Sequence, residues 1–341
     1  MGPSQLRVKV DYSVETRAGQ RVFVQETSAG QLPAAPRLPL AFEPFLYFRP
    51  EHQVLQRLSG PVLAFFLEDE AQEATMAQFY VVPDAAGPGA ARSPAQATFG
   101  GPQLAASVTI RALHGLLEQA EDTLRAHGQG ALEIRSYPFC YDPAGGSTLA
   151  ETLRQRGYEV ALAEQNYCLD LGRDYEAHLH PSARRRLARS RRAGLVLEQE
   201  PPLLLPAAYE FIAACRAERG QPPLSLPLDR LQELFRLFAR EHLLLSVRAP
   251  GGEWAALTVV IQASERVLHN FYPASPLAFN YLSPAVLLTA GVHQLGRDLG
   301  LQIVDLGRST LGGREPHESL LRFKRHLGGV AGLKLTWRKN L

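Results

Sequence analysis

The second half of the chain alternates helical apolar patterns with short apolar runs that suit strands. Helices repeat their apolar positions about every three to four residues, whereas buried strands read as short continuous apolar runs. After a basic helix at residues 173–193, these patterns predict a strand at 195–198, helices at 207–219 and 228–241, strands at 243–248, 253–263 and 266–272, a helix at 284–299, a strand at 301–306, a helix at 317–326 and a strand at 333–338. The order of elements after the basic helix is therefore β α α β β β α β α β.

The first half predicts a reduced version of the same order. Its elements are a strand at 21–26, a short helix at 51–58, a hairpin of strands at 62–67 and 76–82, a loop at 83–94, a long helix at 104–127, a strand at 132–136, a helix at 147–155 and a strand at 158–171. Strands that alternate with helices in this way indicate an α/β or α+β fold. We expect two domains, residues 1–165 and residues 166–341, each a twisted mixed sheet flanked by helices.

One stretch, residues 301–329, carries the densest chemistry. Its apolar strand is followed by a loop in which Gly307 gives backbone freedom and Arg308, Ser309 and Thr310 supply hydrogen-bond donors. Ligands of open α/β sheets bind at the carboxyl ends of the strands. Lys324 lies on the helix that follows, so Arg308 and Lys324 converge on one pocket for an anionic guest if strand and helix pack as neighbours. The alternative, two solvated surface cations, stays open.

The low number of lysines in the chain favours a specific role for Lys324. Only four of the 36 basic residues are lysines. A lysine kept among so many arginines hints at a role that needs a compact ammonium group, since guanidinium would serve general cationic purposes.

Composition and charge exclude several classes of protein. At 341 residues and 45% hydrophobic content the chain can form two ordinary cores. The net charge of +2 argues against a dedicated DNA binder. The sequence has no run of about 18 apolar residues and its N-terminus has no signal-peptide pattern, so we expect a cytoplasmic protein without membrane insertion. The histidines have no metal-binding spacing, and we expect no metal site.

Specific residues give the chain a resemblance to a known family over roughly residues 60–341. They are Phe99-Gly100-Gly101 before a long helix, the basic run Pro181 to Leu187 ending at Ala193-Gly194-Leu195, the helix start Leu282-Ser283-Pro284, Asp305-Leu306-Gly307, and Phe323-Lys324 followed by Gly328-Gly329. With their order and spacing, the chain resembles the FemABX-type peptidyltransferases and related acyltransferases, which are built from tandem GNAT-like domains.

The resemblance implies transfer of an acyl or aminoacyl group to a primary amine by direct attack. It also implies that the first domain helps to bind a small-molecule or peptide amine acceptor, that the second forms the donor site, and that Phe323 and Lys324 lie by the reaction centre. An oxyanion could be stabilised by Lys324, or by backbone amides at residues 270–272. Asp305, His269 and Glu318 remain alternatives for the general base.

Further residues complete the candidate site. Lys324, Asp305 and Arg308 are the catalytic candidates. The candidates for substrate binding are Phe323, Ser309, Asn270, Tyr272 and Tyr281.

The sequence does not decide the identity of the acyl donor, because it departs from the GNAT pattern at one loop. GNAT enzymes that use acetyl-CoA carry a glycine-containing loop that holds the pyrophosphate, but residues 273–284 contain no glycine. We expect no tightly bound cofactor. Acyl-CoA (acetyl-CoA) and aminoacyl-tRNA both remain possible co-substrates, and the arginines within residues 184–192 could contact the phosphates of either. The alternative function is a non-catalytic binding module that recognises a peptide or glycan precursor.

Overall fold

The structure is a computed structural model that describes residues 9–15, 20–33, 35–56, 60–84, 89–311 and 315–341. The strands are β1 (Lys9–Glu15), β2 (Arg21–Thr27), β3 (Val62–Asp69), β4 (Ala74–Val81), β5 (Ala90–Ser93), β6 (Gln103–Leu104), β7 (Ala131–Arg135), β8 (Glu159–Asp170), β9 (Val196–Glu200), β10 (His242–Arg248), β11 (Trp254–Gln262), β12 (Val267–Asn270), β13 (Ile303–Arg308), β14 (Thr310–Leu311), β15 (Glu315–Pro316) and β16 (Val330–Asn340). The α-helices are α1 (Pro50–Leu55), α2 (Ile110–Ala126), α3 (Pro143–Gln155), α4 (Tyr175–His178), α5 (Pro181–Arg192), α6 (Leu205–Glu218), α7 (Leu228–Leu237), α8 (Pro284–Asp298) and α9 (Glu318–His326). Short 3-10 turns lie at Leu46–Phe48, Pro202–Leu204 and Leu277–Leu282.

The chain divides into two compact units. Unit 1 contains residues 1–163 and 333–341, and unit 2 contains residues 164–332. The boundary expected between residues 165 and 166 stays a prediction.

Unit 1 contains an antiparallel sheet with the strand order β1-β2-β3-β4-β6. The predicted β3–β4 hairpin is confirmed, and both strands are almost wholly buried because apolar residues fill them. The strand β7 pairs in parallel with β5 and antiparallel with residues 336–340 of β16. Aromatic rings pack edge to face in this unit, with Phe99 in contact with Phe45, Tyr47 and Tyr141. Such contacts between large rings supply much of a small core.

Unit 2 contains strands in the order β8-β13-β12-β11-β10-β9. The pair β12 and β13 is parallel, whereas the other neighbouring pairs are antiparallel. The helix α8 packs on β10, β11, β12 and β13, and its buried residues join the core of this unit. The predicted element order of the second half is present, from β9 through α6, α7, β10, β11, β12, α8, β13 and α9 to β16. The fold class predicted from the sequence is therefore confirmed.

Three predicted elements differ from the structure. The loop expected at residues 83–94 contains the strand β5, whose pairing with β7 the local sequence does not reveal. The helix expected from residue 104 begins at Ile110, because residues 103–104 pair with β4 and Thr109 caps the helix by accepting a hydrogen bond from the Ala112 amide. The basic helix is divided into α4 and α5 because Pro181 disfavours a helical conformation at the preceding residue.

The α-helices in the described part of the chain have between 4 and 17 residues. No helix there is long and apolar enough to cross a membrane. No group of three or more His, Cys, Asp or Glu residues there has an arrangement that could hold a metal ion.

Candidate active site

The parallel pairing of β12 and β13 ends in the middle of unit 2. It runs from Val267 opposite Ile303 to His269 opposite Asp305. Just beyond, the amides of Phe271 and Tyr272 both donate to the carbonyl oxygen of Val259 on β11, at 2.9 and 3.4 Å. These two amides are engaged within the sheet, so the alternative of an oxyanion held by amides at residues 270–272 loses support. Polar side chains gather where the two strands part.

Gly307 shapes the end of β13. Its φ angle is +72°, in the left-handed region that glycine adopts at little cost. The register between β13 and β8 shifts between Asp305 and Arg308, so the glycine lies in a local irregularity of the strand. The Gly307 amide donates to Asp305 Oδ1 at 2.6 Å. The turned backbone leaves its carbonyl groups free to accept from outside the sheet.

Lys324 of α9 takes up these carbonyl groups. Its Nζ donates to the carbonyl oxygens of Gly307 at 2.7 Å and Arg308 at 2.9 Å, and the side chain is 6% exposed. Lys324 forms no salt bridge with any carboxylate of the described residues. Burial lowers the pKa of Lys324 to about 8, although the nearby Asp305 carboxylate raises it. The ammonium group is thus a buried cation held by backbone carbonyls.

Asp305 is the anionic member of the cluster. It is 2% exposed, and its Oδ1 accepts from Asn166 Nδ2 at 2.8 Å as well as from the Gly307 amide. Its Oδ2 lies 3.9 Å from Nε2 of the buried His269. The carboxylate is therefore fixed between β8, β12 and the turn of β13.

Arg308 contributes its backbone rather than its side chain to the contact with Lys324. The guanidinium is 56% exposed and lies 3.3 Å from Oε1 of the buried Glu164, which also accepts from Thr310 Oγ1 at 3.0 Å. The predicted convergence of two cationic side chains is thus replaced by one buried cation, Lys324, and one exposed cation, Arg308, linked through the backbone.

Two more candidates lie on the same elements. Ser309, which follows β13, is 1% exposed, and its Oγ has no hydrogen-bond partner among the described residues. Phe323 precedes Lys324 and packs, partly buried, against the core of unit 2. Ser309 therefore offers a buried hydroxyl group beside the carbonyl of Arg308.

The other three candidates make separate contacts. Asn270 accepts from Thr258 Oγ1 at 2.6 Å between β11 and β12. The hydroxyl group of Tyr272 lies 2.6 Å from Ser225 Oγ, and burial raises the pKa of Tyr272. Tyr281 is 67% exposed. Of the base candidates, His269 and Asp305 lie together, whereas Glu318 is exposed on α9.

Sequence reasoning missed Asn166 and Glu164. Both are polar residues on β8, and each contacts a residue more than 130 positions away, Asp305 and Arg308 respectively. The sequence gives little signal for them, because β8 contains other polar residues as well. Their partners depend on the pairing of β8 with β13, which the sequence does not give.

The basic helix α5 lies against the start of α8. Ser190 Oγ is 2.7 Å from the carbonyl oxygen of Leu282, and the Arg189 guanidinium donates to the carbonyl oxygen of Tyr281 at 3.1 Å. The helix α8 begins at Pro284 after Ser283, whose side chain makes no capping hydrogen bond. A helix N-terminus and an arginine at its side both favour an anion.

No protein-family model and no curated protein sequence matches the chain. Solved structures match in fold: FemX has a TM-score of 0.64 and 12% identity over 82% of this chain and 87% of that protein. The C-terminal domain of a putative lysylphosphatidylglycerol synthetase from Agrobacterium fabrum has a TM-score of 0.52 and 14% identity over 78% of this chain and 81% of that chain. L-PGS from Bacillus licheniformis has a TM-score of 0.50 and 13% identity over 77% and 80%. The resemblance to Fem-type proteins is thus confirmed for the fold.

Proposed function

We propose that the chain is an N-acyltransferase in which an acceptor amine attacks the carbonyl carbon of a thioester or ester donor directly. The observation that carries the proposal is the buried Lys324 ammonium at the point where β12 and β13 part. The similarity in fold to FemX supports it.

The chemistry follows from the charges at this point. The amine nitrogen forms a bond to the carbonyl carbon, and the carbonyl oxygen becomes an oxyanion. Collapse of this intermediate expels the thiolate of CoA or the ribose oxygen of tRNA, and the amine loses a proton to a base. Lys324 uses two N–H groups on the carbonyls of Gly307 and Arg308, and the third can donate to the oxyanion. A preorganised cation in a low-dielectric site is a strong stabiliser of such charge.

Asp305 supports Lys324 in two ways and is also a candidate for the base. Its charge raises the pKa of Lys324 and so keeps more of the lysine in its ammonium form near neutral pH. Its contacts with Asn166 and the Gly307 amide hold the turn that carries the carbonyl acceptors. Asp305 or its neighbour His269 receives the amine proton, directly or through water.

The donor in this proposal is an acyl-CoA whose phosphates bind at the start of α8. Arg189 supplies a fixed cation there, in place of the glycine-containing loop that residues 273–284 lack. Aminoacyl-tRNA is the second donor to test, because its phosphates would contact Arg189 and the other arginines of α5.

The decisive experiment separates donor binding from turnover. Thermal unfolding is followed with acetyl-CoA and longer acyl-CoAs, and a donor at 100 times its dissociation constant adds about 2.7 kcal/mol to the stability. Acyl transfer to a panel of amines is measured in parallel. Lys324→Met should keep the thermal shift and lose turnover, whereas Arg189→Gln should lose the shift. Arg297→Gln, at the other end of α8, is the matched control and should change neither.

The failures of this experiment are informative. If the protein shows no thermal shift and no acyl transfer with any acyl-CoA, yet transfers the aminoacyl group of aminoacyl-tRNA to an amine, then aminoacyl-tRNA is its donor. A protein that is stabilised by an amine-bearing peptide and by neither donor is a binding module, and the proposal is then wrong.

A further inference from the structure

Two histidines of unit 2 stack face to face outside the candidate active site. The rings of His180, which caps α5, and His326, the last residue of α9, have centroids 4.1 Å apart and planes inclined by 10°. The hydroxyl group of Ser182 lies 2.8 Å from Nδ1 of His180 and 3.4 Å from Nδ1 of His326. The His180 amide donates to the carbonyl oxygen of His326 at 3.0 Å. The backbone therefore holds the two rings together.

Three arginines add positive charge near His326. Arg186 on α5 and Arg322 and Arg325 on α9 are exposed, and no side-chain hydrogen bond or salt bridge links them to another described residue. The contrast with Arg191 on the same helix is clear, since Arg191 forms a salt bridge of 2.7 Å with Glu176 of α4. The three arginines thus carry positive charge that no described carboxylate pairs with.

The environment of His326 disfavours its protonated form. Desolvation, His180 and the positive charges of Arg186, Arg322 and Arg325 lower the pKa of His326. His326 beside these positive charges gains a proton more readily if an anion compensates them. An anion bound between the rings and the arginines would supply that compensation.

We propose that His180, His326, Arg186, Arg322 and Arg325 form a binding site for a phosphate monoester group. Guanidinium and imidazolium groups donate charge-assisted hydrogen bonds to phosphate oxygens. A monoester carries close to two negative charges at neutral pH, more than a diester, and so suits a cluster of this charge. The backbone amides at the start of α5 do not form the site, because those of Ser182, Ala183 and Arg184 bond to His180. The side chains of the two histidines and three arginines therefore provide the contacts to the phosphate group.

The site is distinct from the candidate active site. Lys324 lies on α9 between Arg322 and Arg325, but it is buried against β13 while the arginines are exposed. A ligand of the histidine pair therefore binds the outer side of the helix that carries Lys324.

Isothermal titration calorimetry with sulfate and with a soluble phosphate monoester tests the proposal. Sulfate keeps its two charges throughout, so its pH dependence reports on the protein alone. We expect sulfate affinity to fall from about pH 5 to about pH 8, because the anion binds best to the protonated form of His326. The histidine resonances in NMR spectra should show the pKa of His326 rising when sulfate binds.

Variants separate this site from general attraction of anions. Arg186→Gln and Arg325→Gln should each weaken binding about tenfold, as the loss of one charge-assisted hydrogen bond does. His326→Gln should remove most of the pH dependence and leave weaker binding. Arg236→Gln, an exposed arginine on α7, should bind like the wild type. Circular dichroism confirms that each variant is folded.

Other outcomes decide against the proposal or its details. Equal losses in Arg236→Gln and Arg325→Gln, or an unchanged pKa of His326 with sulfate present, would show that the site does not exist. Tighter binding of a dialkyl phosphate than of the monoester would overturn the assignment of a monoester. Binding that appears with vesicles of anionic phospholipid and not with the soluble monoester would contradict a soluble ligand.

Discussion

The Nζ atom of Lys324 donates a hydrogen bond of 2.7 Å to the carbonyl oxygen of Gly307, so a cation of α9 is bound to the one residue of β13 that has a left-handed backbone. A carbonyl dipole compensates a buried charge less than a carboxylate does. Burial accordingly lowers the pKa of Lys324 to about 8. The contact links the fold of the strand to the charge state of the lysine.

The first prediction concerns stability against pH. The pKa of Lys324 is about 8 in the folded protein and 10.5 for an unperturbed lysine, so between these values the unfolded chain binds more protons. The stability of the wild type should therefore rise with pH relative to Lys324→Met, by up to about 3 kcal/mol between about pH 8 and about pH 10.5. Urea unfolding of both proteins across this range measures the difference. A stability difference between the two proteins that does not vary with pH would show that burial does not lower the pKa of Lys324.

The second prediction concerns catalysis, and it rests on the proposed acyl transfer. If the ammonium form of Lys324 stabilises the oxyanion, kcat/KM should decline as pH rises through about 8. The Asp305 carboxylate raises the pKa of Lys324, so Asp305→Asn should move this decline to lower pH. Asp298→Asn, an exposed carboxylate at the end of α8, should leave the profile unchanged. A profile that Asp305→Asn does not shift would mean that another group controls the decline.

The third prediction concerns the backbone of Gly307. Alanine at Gly307, φ +72°, or at Gly300, φ +70°, must adopt the same left-handed conformation, which costs roughly 1–2 kcal/mol. The cost in stability should be similar, because neither added methyl group meets a neighbour closer than 3.7 Å. Turnover should fall about tenfold or more in Gly307→Ala alone, since small displacements of a catalytic group are expensive. Loss of turnover in both variants would indicate a general effect on folding.

The succession of elements could be predicted from the sequence where apolar periodicity is local. The strand β13 and the helix α9 are examples, because a buried run and a helical stripe identify each without knowledge of its neighbours. The strand β5 could not be predicted, since residues 90–93 form a strand through pairing with β7, some 40 positions later. Tertiary pairing decides such short strands, whereas propensity does not.

The candidate site could be predicted in part for the same reason. Asp305, Gly307 and Lys324 stand close together in sequence on adjoining elements, and strand–turn–helix geometry brings them together. Asn166 could not be assigned to the site because its contact with Asp305 spans 139 residues. The direction of the Arg308 side chain was equally hidden, because it depends on Glu164 of β8.

The fourth prediction concerns Glu121, which is 1% exposed in unit 1. Burial raises its pKa, but hydrogen bonds from Arg156, at 2.9 and 2.8 Å, and from Lys339, at 2.7 Å, outweigh this and lower the pKa below 4.5. Its carboxylate therefore joins α2 to the end of α3 and to β16. Glu121→Gln should destabilise the protein by about 3 kcal/mol at neutral pH, because two partly buried cations lose their buried anion.

The lowered pKa of Glu121 determines how its stabilising effect changes with pH. The folded pKa of Glu121 lies below the unfolded value, so the stabilisation is complete above about pH 4.5 and is lost as pH falls through the folded pKa. The difference in the free energy of unfolding between the wild type and Glu121→Gln, measured by urea unfolding, should become smaller at acidic pH. Glu118→Gln changes an exposed carboxylate on the same helix and should cost less than about 0.5 kcal/mol. Equal costs for the two variants would mean that Arg156 and Lys339 gain nothing from the charge of Glu121.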